Sequence, residues 1–285
     1  MPLSNADQGR PENHSRAGLE IGRRALLAMG GAGLALAANR AVAAAAGPKA
    51  RFFMVVSGPA DGPEAQSWRK LVGELEKRGF PTTLVPTIYP NGSFTPNETR
   101  AASIVAALEA ATEPAVILGV SNEGNVLPLV AAAHSVRRLV YVNACIPQPG
   151  KAFIETCVTQ PVAVPGSLLD NLIKGAQPVT DEFLRLRADP HATAAQWETL
   201  RDHIQASPYA STMKGFYEIC PLKQMPRVEN IDVSGSADDQ INPVWEQATA
   251  RRVLMTEPAI VPGAGHANAV TDYAARVADH AVRGL

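Results

Sequence analysis

Three residue types that together cleave acyl bonds stand at comparable places along this chain: a serine at 121, an aspartate at 238 or 239, and a histidine at 266. Ser121 lies in Gly119-Val120-Ser121-Asn122-Glu123-Gly124, between an apolar run and a helical stretch. A serine in so tight a strand-to-helix turn is lifted clear of the sheet edge. The next backbone N–H and the helix start then face the same space. Glycines suit such a turn because it is sterically crowded. The bland alternative is a serine that caps a helix. Asp238 and Asp239 follow Gly235-Ser236-Ala237, and His266 sits in Pro262-Gly263-Ala264-Gly265-His266-Ala267. A neutral histidine can take the serine proton, and a buried aspartate can hold the imidazole and stabilise its cation.

Position along the chain favours chemistry over capping, because each of these residues follows an expected strand. Strands are expected at Arg51–Ser57, Thr82–Ile88, Ala115–Val120, Leu139–Cys145, Asn230–Ser234 and Ala259–Val261. Helical spacing marks Ser67–Arg78, Glu98–Ala111, Asn122 to about His134, Pro243–Leu254 and Asp272–Val282. This alternation predicts an α/β fold: a doubly wound, mostly parallel six-stranded sheet with helices on both faces. Ser121, the aspartates and His266 then share one sheet edge, where ligands bind in such folds. Between the fourth and fifth strands, residues 147–226 read as a helical cap. Its candidate helices are Ser167–Gly175, Thr180–Ala188 and Ala192–Ala206. The core is expected over 47–146 and 227–285.

Residues 1–46 read as an address rather than as part of the fold. Arg23 and Arg24 precede an apolar stretch from Ala25 to Ala38, and small residues follow to Gly47. A charged start, a short apolar centre and an Ala-x-Ala exit make a signal peptide. The paired arginines resemble the bacterial twin-arginine signal. Export to the periplasm or beyond is expected, with no stable membrane anchor once the signal is cleaved. The apolar stretch is shorter than the roughly 20 residues a span requires.

The formal net charge is −1, with no basic stripe, which argues against nucleic acid as a partner. No phosphate loop, zinc-binding H-E-x-x-H or dinucleotide fingerprint occurs, so no cofactor and no metal are expected. Export would permit a disulfide. The chain has three cysteines, of which Cys145 reads as a buried thiol. Cys157 and Cys220 flank the cap and are the candidates for a pair.

The mature chain resembles the α/β-hydrolases over nearly its whole length, beginning at a strand equivalent to their third. The tract Leu139-Val140-Tyr141-Val142-Asn143-Ala144-Cys145-Ile146-Pro147 and the segment Phe216-Tyr217-Glu218-Ile219-Cys220-Pro221 are similar to the compact esterase and hydroxynitrile-lyase branch. The resemblance implies a Ser121–His266–Asp triad acting through an acyl-enzyme on a small-molecule ester, lactone or amide. Two counts choose the acid differently. Three on from Gly235 gives Asp238. Counting back from Pro243, and forward to Gln247, gives Asp239, which fits the branch and is preferred.

The resemblance has departures. The usual G-x-S-x-G has Glu123 in place of its last glycine, with Gly124 one place later. Family members carry His-Gly after the first strand, where this chain has Ser57-Gly58, and Pro59 then offers no N–H to an oxyanion. The oxyanion hole is therefore expected from the N–H of Asn122 with that of Ala60, or else Asp61. These departures support a second reading, an exported binding protein on a hydrolase fold without catalysis. A hydroxynitrile-type lyase ranks lower, because no lysine lies near the strand ends that carry the triad. His134, His191, His203 and His280 fall on or beside expected helices and read as surface or capping residues.

Overall fold

Six short runs rich in Val, Ile, Leu and Phe form the strands of one sheet. They are β1 (Arg51–Ser57), β2 (Thr82–Thr87), β3 (Ala115–Val120), β4 (Arg138–Val142), β5 (Glu229–Gly235) and β6 (Ala259–Val261). In this computed structural model, residues 49–57, 63–87, 95–167, 169–170 and 215–285 are described. The sheet order is β2-β1-β3-β4-β5-β6, and every neighbouring pair is parallel. The crossover from β2 back past β1 to β3 reverses the winding. This puts the C-terminal ends of β1 and β3 beside a crevice at the sheet edge.

Alternation along the strands sorts the core into two layers. Phe52, Met54, Val56, Val116, Leu118, Val140 and Val142 face one side. There they meet α1 (Pro63–Lys77) and α6 (Ala274–Ala281) through Leu71, Leu75, Val277 and Ala281. Phe53, Val55, Ile117, Leu139 and Tyr141 face the other. That face is covered by α2 (Asn97–Leu108), α3 (Leu127–Ala133) and α5 (Pro243–Thr249). β3 and β4 are buried throughout, which is why they read as continuous apolar runs instead of alternating ones.

Several expected boundaries move for local reasons. β4 stops at Val142 rather than Cys145, because Asn143 turns to φ +44° and leaves the extended region. The helix expected from Asn122 begins as a 3-10 turn, Ser121–Asn125, and becomes α-helical only at Leu127. The helix expected over Pro243–Leu254 is α-helical to Thr249 and then widens into a π-helical turn, Ala250–Leu254. Met255, at φ +55°, ends it.

Between β4 and β5 the described part contains α4 (Phe153–Thr159) and a 3-10 turn, Gly215–Tyr217. The base of this segment is tied to the core. Trp245 Nε1 donates to Gln160 Oε1 at 2.9 Å, and Asn242 N donates to Val162 O at 2.7 Å. The candidate helices Thr180–Ala188 and Ala192–Ala206 lie outside the described residues. So does Ser167–Gly175, apart from Ser167, Leu169 and Asp170. Residues 1–46, with the expected signal, lie outside them as well. Among the described residues no helix is long and apolar enough to cross a membrane.

One part of the core is costly. Asp232 on β5 is fully buried, and neither of its carboxylate oxygens has a partner. It is paired in register with Tyr141, whose hydroxyl is also buried without a partner. Burial raises the Asp232 carboxyl to about 8, against the opposing charge of Arg251. The unfolded chain releases this proton near pH ~4, while the folded chain holds it until about pH 8. The folded state therefore loses stability as pH rises between these values. Asp232→Asn should raise Tm more at pH 8 than at pH 5, by roughly 1 kcal/mol or more, or about 2–4 °C. An equal effect at the two pH values would contradict the assignment.

Candidate active site

Ser121 follows β3 directly and has φ +54°. A non-glycine residue in the left-handed region costs on the order of 1–2 kcal/mol, so the surroundings must hold it there. Cys145 N donates to the Ser121 carbonyl at 2.9 Å, which ties the turn to the exit of β4. A side chain at position 124 would run into the Cys145 carbonyl, so only glycine fits. At position 119 the space is tight too, with Glu123 backbone atoms and Leu127 3.1 Å from an added Cβ.

Glu123, the departure from the usual motif, is buried and paired with the guanidinium of Arg100, which is buried as well. Arg100 lies on the inward face of α2 with Asn97, Ala101, Ile104 and Leu108. Its Nη1 donates to Asn97 Oδ1 at 2.9 Å, and Asn97 Nδ2 donates to Gly215 O at 3.1 Å. The extra carboxylate is thus accommodated by a charged partner and a polar relay toward the cap return.

His266 lies beyond β6 and is nearly buried, 9% exposed. Its Nε2 is 2.9 Å from Ser121 Oγ, and its Nδ1 is 2.8 Å from Asp238 Oδ2. Asp238 is fixed in turn, because its Oδ1 accepts from Gln240 N at 2.7 Å and Ile241 N at 2.9 Å. This corrects the choice of Asp239, which is exposed. The count from Pro243 fails because the loop before α5 spends a residue on the cap: Ile241 bridges to Ala163, and Asn242 caps the helix. The structure therefore brings Ser121, His266 and Asp238 into one relay at the C-terminal sheet edge. Asn122 follows Ser121 at the start of the 3-10 turn. Pro59, Ala60 and Asp61 lie outside the described residues.

The sequence reading missed Arg100, Asn143 and Glu246. Asn143 is fully buried and bonds to the backbone on both sides of it. Glu246 is fully buried on α5, and its Oε1 accepts from Ala144 N at 2.7 Å. Burial, followed by the charges of Asp232 and Asp238, pushes its carboxyl well above the usual range. The three cysteines are free and buried, so the Cys157–Cys220 pair is not formed. Burial raises the Cys157 thiol to about 12.

A cavity of about 460 Å³ opens beside the end of the Ser121–Asn125 turn, between the start of α2, Asn125, Phe153 and the Glu218–Pro221 segment. Ser121 does not line it, so it is not the place where an acyl group would meet the nucleophile. Among the described residues no cluster of His, Cys, Asp and Glu could hold a metal ion.

The sequence profile described as "Alpha/beta hydrolase family" matches residues 53–280. No curated protein matches the sequence. Among solved structures, the chain resembles a pyrethroid hydrolase from Sphingobium faniae JZ-2 at 19% identity and TM-score 0.55, covering 83% of this chain and 99% of that one. It also resembles polyneuridine aldehyde esterase, at 13% identity and TM-score 0.57, covering 81% and 98%. A membrane phospholipase A described as a bacterial virulence factor aligns at 17% identity and TM-score 0.58, covering 81% and 76%. At these identities the likeness is one of fold.

Proposed function

Because this chain belongs to the alpha/beta hydrolase family, we propose that it is a serine hydrolase that cleaves a carboxylic ester, or a lactone or amide, of a small molecule. The observation that carries this is the hydrogen-bonded relay from Asp238 through His266 to Ser121. His266 Nε2 accepts the Ser121 proton as Oγ attacks the carbonyl carbon. Asp238 holds Nδ1–H and offsets the charge the imidazole gains. The alkoxide or amine then leaves with the proton from His266, and the acyl group remains on Ser121. Water, deprotonated by the same histidine, releases the acid and restores the serine. The N–H of Asn122, with that of Ala60 or Asp61, would receive the charge on the former carbonyl oxygen.

Esters are the favoured substrates on the strength of the esterase and pyrethroid hydrolase among the structural neighbours. With p-nitrophenyl butyrate as probe, the protein should release p-nitrophenol and Ser121→Ala should not. Equal rates for the two proteins would overturn the proposal in favour of a binding protein. Export is part of the same reading and rests on Arg23, Arg24 and the apolar stretch after them. Arg23→Lys with Arg24→Lys should leave the precursor in the cytoplasm, and normal export of that variant would remove the twin-arginine reading.

A further inference from the structure

The three residues that leave β4 touch every loop that carries a member of the relay. Asn143 Nδ2 donates to Gly265 O at 2.9 Å and to His266 O at 3.3 Å, on the loop of the base. Asn143 Oδ1 accepts from Gly235 N at 2.7 Å, at the end of the strand that leads to Asp238. Ala144 N donates to Glu246 on α5, the helix that follows the acid loop. Cys145 N donates to the Ser121 carbonyl, on the nucleophile's turn. Asn143 reaches both loops because it takes φ +44°, a conformation that asparagine tolerates better than most residues. It is 0% exposed, so its amide bonds are made out of water.

We propose that Asn143 is a positioning residue for catalysis, whose side-chain amide sets the His266 loop against the Asp238 loop while its neighbour Cys145 anchors the Ser121 turn. One side chain thus bonds to the Gly235 backbone and to the carbonyls of Gly265 and His266. The carbonyl of His266 fixes where that residue's Cα sits, and so where Nε2 meets Oγ. Loss of the amide lets the base loop shift against the acid loop. A misplacement of about 1 Å between reacting groups costs on the order of 10²-fold in rate. The effect belongs in kcat, because Asn143 is buried behind the relay and has no access to bound substrate. This inference rests on the serine-hydrolase reading of the same site.

Two variants separate the amide from the backbone. Asn143→Gly keeps the left-handed conformation and removes both sets of bonds. Asn143→Asp is isosteric, keeps an acceptor for Gly235 N and removes the donor to the base loop. Both are assayed with p-nitrophenyl butyrate well below Tm, with Ser121→Ala in parallel. The expected result is a fall in kcat of roughly 10- to 100-fold in each, with KM within about twofold and a cooperative melting transition retained. Should Asn143→Gly not fold, Asn143→Asp alone decides. A folded variant with kcat within twofold of the parent overturns the inference, as does a loss seen only as reduced folded fraction. The two readings fail differently. Activity retained by Ser121→Ala sinks the hydrolase site itself. An inactive Ser121→Ala beside fully active Asn143 variants sinks only the role of Asn143.

Discussion

Replacing His266 with alanine is expected to lower turnover of an ester substrate by on the order of 10⁴-fold or more, with little change in KM. A serine hydroxyl at neutral pH is a poor nucleophile unless its proton leaves as the bond forms. Among the described residues, the hydrogen-bond partner of Ser121 Oγ is His266 Nε2, at 2.9 Å. Alanine there leaves the hydroxyl with no base, and leaves the departing alkoxide with no acid. The fold should survive. His266 sits at the rim after β6, and Gly265 N keeps its bond to Asn268 Oδ1 at 2.7 Å. The measurement is kcat and KM on purified variants with matched melting curves. Turnover within tenfold of the parent would mean that a different group, or no proton transfer at all, carries the reaction.

The second large effect separates two adjacent aspartates. Asp238→Asn should cost roughly 10⁴-fold in kcat, by analogy with other triads, while Asp239→Asn should stay within about twofold. The asparagine oxygen can still accept from Gln240 N and Ile241 N, which now bond to Asp238 Oδ1. The loop therefore keeps its shape. The amide NH₂ then faces His266 Nδ1 where Oδ2 now stands at 2.8 Å. It donates to that nitrogen and drives the ring proton onto Nε2, so the imidazole meets Ser121 as a donor and cannot accept. Asp239 is exposed on the same loop, and its amide changes only surface charge. The reverse ranking would place the acid at 239 and contradict the geometry.

The pattern of strands and helices was legible because the information is local. Continuous apolar runs mark β3 and β4, and helical spacing of Trp68, Leu71 and Leu75 marks α1. Ser121 and His266 were legible for a related reason: each sits in a glycine-bearing turn directly after a strand. The acid was not, since Asp238 and Asp239 differ by a single residue. Their roles depend on how the 239–242 loop bridges to Ala163 and Val162 across the chain. Glu123 looked like damage to the motif because its partner is 23 residues away. Arg100 on the apolar face of α2, in line with Ala101, Ile104 and Leu108, was the available signal that a buried carboxylate must face it. Asn143 was invisible as an organiser, because its side-chain partners are backbone atoms of β5 and the β6 exit loop, which no periodicity announces.

The central claim is that Ser121 is an activated nucleophile, and covalent capture tests it most directly. A fluorophosphonate probe carries a phosphorus that an activated serine attacks with loss of fluoride, leaving a stable adduct on Oγ. Incubation of the protein with the probe, followed by proteolysis and mass spectrometry, should place one adduct on Ser121. Labelling should be abolished in Ser121→Ala and strongly slowed in His266→Ala. An intact protein that takes up no label, or takes it up equally in Ser121→Ala, would contradict the account.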